Sequence, residues 1–329
     1  MSRVGRQDGP PASSAWAEPD GARSGRAAGG SAQAGLPSVQ DGYAPPPKDA
    51  KVTGVRRSEP PKTLREGADQ VAEVLRAAGH QAYLAGGCVR DALLGVEPKD
   101  YDITTDATPE QVARLFRRTI LVGAAFGVVK VVLGKDRDYE VATFRTDGTY
   151  TDGRRPDAVA YAKTAEEDVL RRDFTLNALL MDPRDDSILD FVGGRQDLEA
   201  GLIRAVGVPE ARFQEDRLRM LRAVRFAARF GFAIEAETRA AIQHQAAALT
   251  DVSVERISAE LEGIFKSERP GLGFELLAET GLLVPALPHL AGQAPEARAR
   301  MQAALTRLPE AAQALGPDDR VIVAWALTL

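Results

Sequence analysis

The densest chemical constellation in the chain is GGCVRD at 86–91 followed by KDYDI at 99–103. Gly86 and Gly87 separate a short apolar run, Ala82 to Ala85, from a helical pattern running from Val89 to Leu94. Glycines at such a turn let backbone N–H groups approach phosphate oxygens without a Cβ in the way, and a helix N-terminus adds a favourable dipole. Arg90, early in that helix, can reach the same anion. A tight turn with no ligand would look alike. Asp100 and Asp102 are two apart, so on an extended strand they project from one face. Carboxylates side by side repel, and the pairing is tolerated mainly where a divalent cation neutralises it; a solvated acidic turn is the alternative. Glu140 opens the run EVATF and offers a third carboxylate from a neighbouring strand. Three acids beside a phosphate-cradling loop suit two-metal phosphoryl transfer, with Mg²⁺ ions ~3.5–4 Å apart. One ion would activate an attacking hydroxyl; the other would hold a triphosphate and the leaving pyrophosphate.

Two arginine-rich stretches follow. RRDFTLNAL at 171–179 sets Arg171, Arg172 and Asp173 before an apolar stretch of helical appearance, Leu176 to Leu180. Consecutive arginines point in different directions, so at most one faces a nucleotide while the other packs or pairs with an acid such as Glu166 or Glu167. Asp173 either caps the following helix or serves the site; Asn177 either contacts a ribose or holds the loop. Further on, a helix is expected to begin near Glu215. Asp216, Arg219, Arg222 and Arg225 recur every three residues, a row that drifts ~60° per step on a helix. A salt-bridged surface face is the plain explanation of such a row. Here Leu218, Leu221, Val224 and Ala228 are interleaved with the charges, so some of the arginines must lie against protein or ligand. An Asp and an Arg in this spacing can read a base: the carboxylate accepts from an exocyclic amine and the guanidinium donates to a ring nitrogen or carbonyl. Cytosine and adenine both present an amine beside an acceptor, whereas guanine and uracil reverse that order. One such pair therefore accepts CTP and ATP and rejects GTP and UTP.

The elements that must position these residues divide the chain. Of the first 50 residues, 31 are Gly, Pro, Ala or Ser. Such a segment cannot bury enough surface to offset its ordering entropy, and 1–58 is expected to be a disordered tail; Asp8, Glu18 and Asp20 weigh against a transit peptide. A helix from Leu64 stops at Gly79. Ala82 to Ala85 reads as a strand, Val128 to Leu133 and Tyr139 to Phe144 as an antiparallel hairpin, and Ser187 to Phe191 as another short strand. Residues 146–157 read as a loop. After about Arg204 strand signals vanish and helical periodicity continues to the end. The fold class is thus α+β, with a head of mixed or antiparallel sheet followed by an all-helical neck and body.

Composition bounds the chemistry. The 329 residues hold 42 Lys+Arg against 47 Asp+Glu, a formal charge of -5, so any polyanion must be met by a local patch and not by the surface as a whole. One cysteine, Cys88, excludes an intrachain disulfide framework and cysteine-rich zinc sites. Cys88 itself reads as a small packing residue. Three histidines leave little for metal clusters, so metal ligands would be carboxylates, which points to Mg²⁺. No apolar run approaches the ~18 residues of a membrane span, no secretory signal is present, and a cytoplasmic protein is expected. The final VIVAWALTL is an apolar run reaching the last residue, from which a helical body cut within a helix is expected.

GGCVRD, KDYDITT, YEVATFR, RRDFTLNAL and EDRLRMLRAVRFAARFGF occur in the order found in the class II tRNA nucleotidyltransferases and the bacterial poly(A) polymerases. The resemblance covers roughly 65–290. It implies a polymerase-beta-like nucleotidyltransferase head at 59–205, a base-reading helical neck at 206–268, and a partial body at 269–329. The implied activity is template-independent transfer of CMP and AMP to an RNA 3′ end, with CTP, ATP and the tRNA 3′ end as partners and no obligate protein partner. Asp100 and Asp102 match the family's metal ligands; Gly86, Gly87 and Arg90 match its nucleotide loop; Glu140 matches a third carboxylate that not every member keeps. Arg172 matches a phosphate contact, Asp216 and Arg219 the base reader, and Arg222 and Arg225 lie nearer the phosphates. A segment from Arg145 to Asp157 helps the family switch from CTP to ATP, with Asp147, Asp152, Arg154 and Arg155 as candidates here. A poly(A) polymerase, a partial CC- or A-adding enzyme, and a catalytically inactive nucleotide- or RNA-binding module are the rivals.

Overall fold

The computed structural model describes residues 61–121, 127–134, 137–147, 159–311 and 316–328. The expected tail at 1–58 and Asp152, Arg154 and Arg155 lie outside the described residues, and of Asp147 only the backbone is described.

Helix α1 (Leu64–Ala77) starts at a capping box in which Thr63 and Glu66 satisfy each other's backbone N–H groups, and it buries Ala68, Val71, Ala72 and Leu75 on one face. It packs on a seven-stranded sheet of order β3-β4-β5-β2-β1-β8-β9. The strands are β1 (Ala82–Ala85), β2 (Asp102–Thr105), β3 (Thr119–Leu121), β4 (Val128–Val132), β5 (Asp138–Thr143), β8 (Leu180–Met181) and β9 (Ile188–Leu189). β2 and β5 run parallel, Ile103 beside Val141, and every other neighbour pair is antiparallel. The mixed sheet is the one expected, as is the β4–β5 hairpin. Short helices α2 (Gly87–Leu93), α3 (Pro109–Leu115), α4 (Ala165–Leu170) and α5 (Gly194–Ala200) connect or flank the strands, and a separate ribbon pairs β6 (Arg145–Asp147) with β7 (Val159–Tyr161).

The chain beyond 204 is helical: α6 (Pro209–Glu215), α7 (Leu218–Phe230), α8 (Ala236–Gln245), α9 (Val254–Phe265), α10 (Pro270–Glu279), α11 (Leu283–Ala286), α12 (Pro295–Ala311) and α13 (Pro317–Thr328). It holds one strand that the periodicity conceals, β11 (Ala233–Ile234), which pairs in parallel with β10 (Leu202–Ile203). Buried residues from α1 and the sheet, such as Val71, Ile103 and Val141, belong to one apolar cluster with Phe226, Leu261 and Phe274 of the helical part. Among the described residues no helix is long and apolar enough to cross a membrane.

Two local expectations are corrected. The stretch Leu176 to Leu180 is not a helix: a 3₁₀ turn at Thr175–Asn177 leads into β8, because Leu180 and Met181 complete the sheet beside β1. Short apolar runs do not distinguish the two states by periodicity. The helix expected from Glu215 is broken, with Asp216 in extended conformation (φ -147°, ψ 105°) between α6 and α7.

Gly194 begins α5 against the carbonyl of Thr175; a Cβ there would lie 2.1 Å from the Thr175 backbone oxygen. Backbone cannot swing aside as a side-chain tip can. Gly194→Ala is therefore expected to cost about 2 kcal/mol and to lower Tm in a thermal melt by roughly 4–8 °C.

Candidate active site

The sheet and α7 face each other across a cleft of about 510 Å³. Its floor is the open face of β2 and β5, carrying Asp102, Thr104, Glu140 and Ala142. The parallel register of Ile103 with Val141 sets Asp102 alongside Glu140. Burial first, and then the charges of Asp100 and Glu140, push the Asp102 carboxyl up to about 6, with Arg172 acting in the opposite sense. Asp100 precedes β2 and does not line the cleft, so the two aspartates do not share one strand as the spacing suggested. Glu140 is also within reach of Lys130 on β4, at 3.8 Å, while Lys130 Nζ lies 2.7 Å from Asp138.

One wall is the turn from β1 into α2. Gly86 has φ 71° and ψ -120°, a conformation that suits glycine, and a Cβ there would come 3.2 Å from Arg172 Nη1. Arg90 lines the cleft but is only 4% exposed. Its Nε donates to Asp91 at 2.8 Å, its Nη1 to Asn177 Oδ1 at 2.5 Å, and its guanidinium lies 4.8 Å from the Phe230 ring centre. Burial holds its pKa below the usual arginine range. Cys88 is buried with its Sγ donating to the Ala85 carbonyl, in keeping with a packing role.

A second wall comes from 171–177. Both Arg171 and Arg172 line the cleft, and both bond the carboxylate of Asp168, at 2.7 and 3.0 Å. The expectation that only one faces inward, with Glu166 or Glu167 holding the other, is thus corrected: α4 turns Asp168 inward. Asp173 does not cap a helix. Its Oδ1 accepts from Phe174 N and Asn177 Nδ2, and its Oδ2 accepts from Arg222 Nε and Nη2 at 2.9 and 2.6 Å. Although burial opposes it, Arg222 holds the Asp173 carboxyl below the usual carboxylate range. Asn177, bridging Arg90 and Asp173, holds the loop.

The far wall is the α6–α7 junction with α9. Asp216 Oδ1 accepts from Leu218 N at 3.1 Å, serving the unsatisfied start of α7, and Oδ2 accepts from Arg256 Nη2 at 2.7 Å. Arg219 donates to Glu215 at 2.6 Å and to the Arg171 carbonyl at 3.4 Å. Arg225 does not line the cleft: it donates to Glu260 at 2.5 Å and lies 4.4 Å from the Phe226 ring centre. The drift of a three-residue row round a helix carries it from the cleft to α9.

Gly86, Gly87, Arg90, Asp102, Glu140, Arg172, Asp216, Arg219 and Arg222 thus meet in one cleft, and Asp100 and Arg225 flank it. The sequence singles out neither Asp168 nor Arg256, and it admits at most one of Arg171 and Arg172 to the site where both line the cleft. ERISAE around Arg256 has only helical periodicity to distinguish it, and Asp168 is the last of three consecutive acids, Glu166 to Asp168, with no local mark of burial to single it out.

Among the described residues no group of three or more His, Cys, Asp or Glu side chains is arranged to hold a metal ion. The chemistry of the donors nevertheless fits a hard divalent cation: burial first, and then the neighbouring charges of Asp100 and Glu140, disfavour the Asp102 anion, and a bound cation would offset both.

The model for the poly A polymerase head domain matches residues 82–204, and that for the probable RNA and SrmB-binding site of polymerase A matches 231–293. The chain is 45% identical over 217 residues to the CCA-adding enzyme of Lactiplantibacillus plantarum, covering 66% of this chain and 53% of that protein. It is 47% identical over 212 residues to the CCA-adding enzyme of Bacillus subtilis, covering 64% and 53%. The chain spans about half the length of these curated relatives. The solved structure of Bacillus stearothermophilus CCA-adding enzyme in complex with CTP superposes with a TM-score of 0.63 at 37% identity, covering 81% of this chain and 69% of that one. Nucleotidyltransferases of this family use divalent metals. With the two family models matching in order along the sequence and the fold superposing on a CCA-adding enzyme, the chain belongs to the CCA-adding enzyme and poly(A) polymerase family of nucleotidyltransferases.

Proposed function

We propose that the chain adds CMP and AMP, from CTP and ATP, to the 3′ end of tRNA without a template. The observation that carries this reading is the lining of the cleft. The carboxylates of Asp102 and Glu140, the cluster of Asp216, Arg219 and Arg256, and the guanidiniums of Arg171, Arg172 and Arg222 all line the same space, and we assign the first to the metal, the second to the base and the third to the triphosphate. Asp100 and Asp102 would hold Mg²⁺, which when bound polarises phosphate oxygens and promotes loss of the hydroxyl proton. The arginines bind and orient the triphosphate and balance charge developing on it. The 3′ hydroxyl oxygen bonds to the α-phosphorus, the bond from that phosphorus to the bridging oxygen breaks, and pyrophosphate and a proton leave.

Selection falls to the far wall. Asp216 accepts one bond on each oxygen, which leaves a carboxylate with further lone-pair sites for an exocyclic amine. Arg219 completes the pair by donating to the neighbouring ring acceptor. On this reading the head is 59–205, the neck 206–268 and the body 269–329, and the protein works in the cytoplasm.

The test is incorporation of labelled CTP and ATP into tRNA transcripts ending at, or one or two nucleotides beyond, the position before CCA. C, C and A are expected in turn. Addition of A alone to any RNA would identify a polynucleotide adenylyltransferase, addition of only C or only the last A a partial enzyme, and no addition with retained CTP binding an inactive binding module; each would overturn the proposal.

A further inference from the structure

Asp168 is buried to 0% exposure on α4 and serves four partners at once. Its Oδ1 accepts from Arg171 Nε at 2.9 Å, from Arg171 Nη2 at 2.7 Å and from the Arg145 backbone N–H at 3.3 Å. Its Oδ2 accepts from Arg172 Nη2 at 3.0 Å and from Thr104 Oγ1 at 3.3 Å. Thr104 is two residues beyond Asp102 on β2, so the same carboxylate touches the strand that carries the cleft's acid and the two arginines beside it. Arg172 also donates to the Asn177 carbonyl at 3.2 Å, and its Nε is buried with no hydrogen-bond partner among the described residues. Its guanidinium therefore hangs from Asp168 and Asn177, with Gly86 leaving room beneath it.

We propose that Asp168 is the positioning residue of the triphosphate track: it aims Arg171 and Arg172 together into the cleft and, through Thr104, fixes them relative to Asp102. This deepens the function proposed above and rests on it only for the identity of the nucleotide. An arginine side chain swinging freely loses much of its attraction for phosphate to the ordering of its rotamers, whereas one whose guanidinium is already held meets the ligand in place. One acid shared by two arginines also anchors each while leaving donor edges of both planar forks to face a ligand. Burial would raise the Asp168 carboxyl, yet Arg171 and Arg172 hold it below the usual carboxylate range, so it stays an anion throughout the neutral range.

Asp168→Asn alone strands two guanidiniums beside a neutral amide and could unfold the protein. The test therefore compares full-length Arg171→Gln with Arg171→Gln/Asp168→Asn, in which one charge of each sign is removed together. Kd values for inorganic tripolyphosphate, CTP and GTP are measured by titration calorimetry, with thermal melts of both proteins. On the order of a tenfold further loss for tripolyphosphate and CTP is expected in the double variant, as for other groups that orient a ligand-binding side chain. The ratio of CTP to GTP affinity is expected to stay within twofold, because the base-reading wall is untouched. Equal tripolyphosphate affinity in the two proteins would overturn the proposal. So would a collapse of the CTP-to-GTP ratio alongside the affinity, which marks a merely structural residue. Failure of the wild-type chain to extend tRNA, with the tripolyphosphate difference intact, would defeat the function reading alone.

Discussion

Asp102→Asn is expected to abolish nucleotide transfer and, in the same protein without added metal, to raise Tm. The two effects share one cause. The Asp102 carboxyl sits at about 6, raised by burial and by Asp100 and Glu140, so at neutral pH the folded chain holds an anion that its surroundings disfavour. An amide of the same shape removes the repulsion. Because the carboxylate opens onto the cleft, solvent screens part of the penalty, and a gain of about 1 kcal/mol is the appropriate scale, or roughly 2–4 °C in Tm. The sign with pH follows from linkage. A group raised in the folded state contributes stability below its unfolded value, and that stability is lost as pH rises through the folded value. Wild type should thus lose ground to the variant between about pH 4 and pH 6, keep a constant deficit above, and show none below. Transfer should fall by at least roughly 10³-fold, the several kcal/mol that a bound cation supplies to a developing charge. Melts across pH 3.5–8 and single-turnover transfer assays check both halves. A variant that is less stable at pH 7.5, or one that retains a tenth of wild-type activity, contradicts the assignment.

How far the site can be read from sequence depends on whether a side chain's partner is near in the chain. Gly86, Gly87 and Asp102 stand in a strand, turn and strand pattern whose local period dictates the geometry, whereas Glu140 reaches Asp102 through the parallel pairing of β5 with β2, which the β4–β5 hairpin does not itself dictate. Asp100 was misplaced because spacing alone does not say where a strand starts, and β2 starts at Asp102. Distant partners decide the rest. Arg256 meets Asp216 across 40 positions, Arg222 meets Asp173 across 49, and Thr104 meets Asp168 across 64. No periodicity records such meetings. The break at Asp216 is hidden for a related reason: Asp, Arg and Leu at these spacings satisfy a helix as well as a helix start, and only the bond from Leu218 N to the Asp216 side chain distinguishes them.

That bond also shapes the second large effect expected, in the fidelity of Asp216 variants. If the Asp216 carboxylate accepts from the exocyclic amine of cytosine or adenine, its removal should relax nucleotide choice more than it slows transfer. A site built to hydrogen-bond its ligand rejects analogues by about 10⁴-fold or more, since mismatched polar groups are left unpaired; losing one of the two reading groups should lower the preference for CTP over UTP by at least roughly 100-fold. Asp216→Ala carries a complication. It strands Arg256 at the cleft edge and uncaps the first turn of α7, the latter alone costing about 1 kcal/mol. Asp216→Asn also gives up the Arg256 bond but is the cleaner probe of the cap, because its side-chain oxygen can still accept from Leu218 N while its amide offers a donor where the carboxylate accepted. Uracil and guanine present a carbonyl where cytosine and adenine present the amine. The Asn variant should therefore gain UTP and GTP incorporation in absolute terms, whereas the Ala variant should only lose discrimination. kcat/KM for all four nucleotides on one tRNA transcript separates the outcomes. A proportionate fall for all four in both variants would mean that Asp216 merely braces the α6–α7 junction, and base selection would then have to be sought in Arg219 and Arg256 alone.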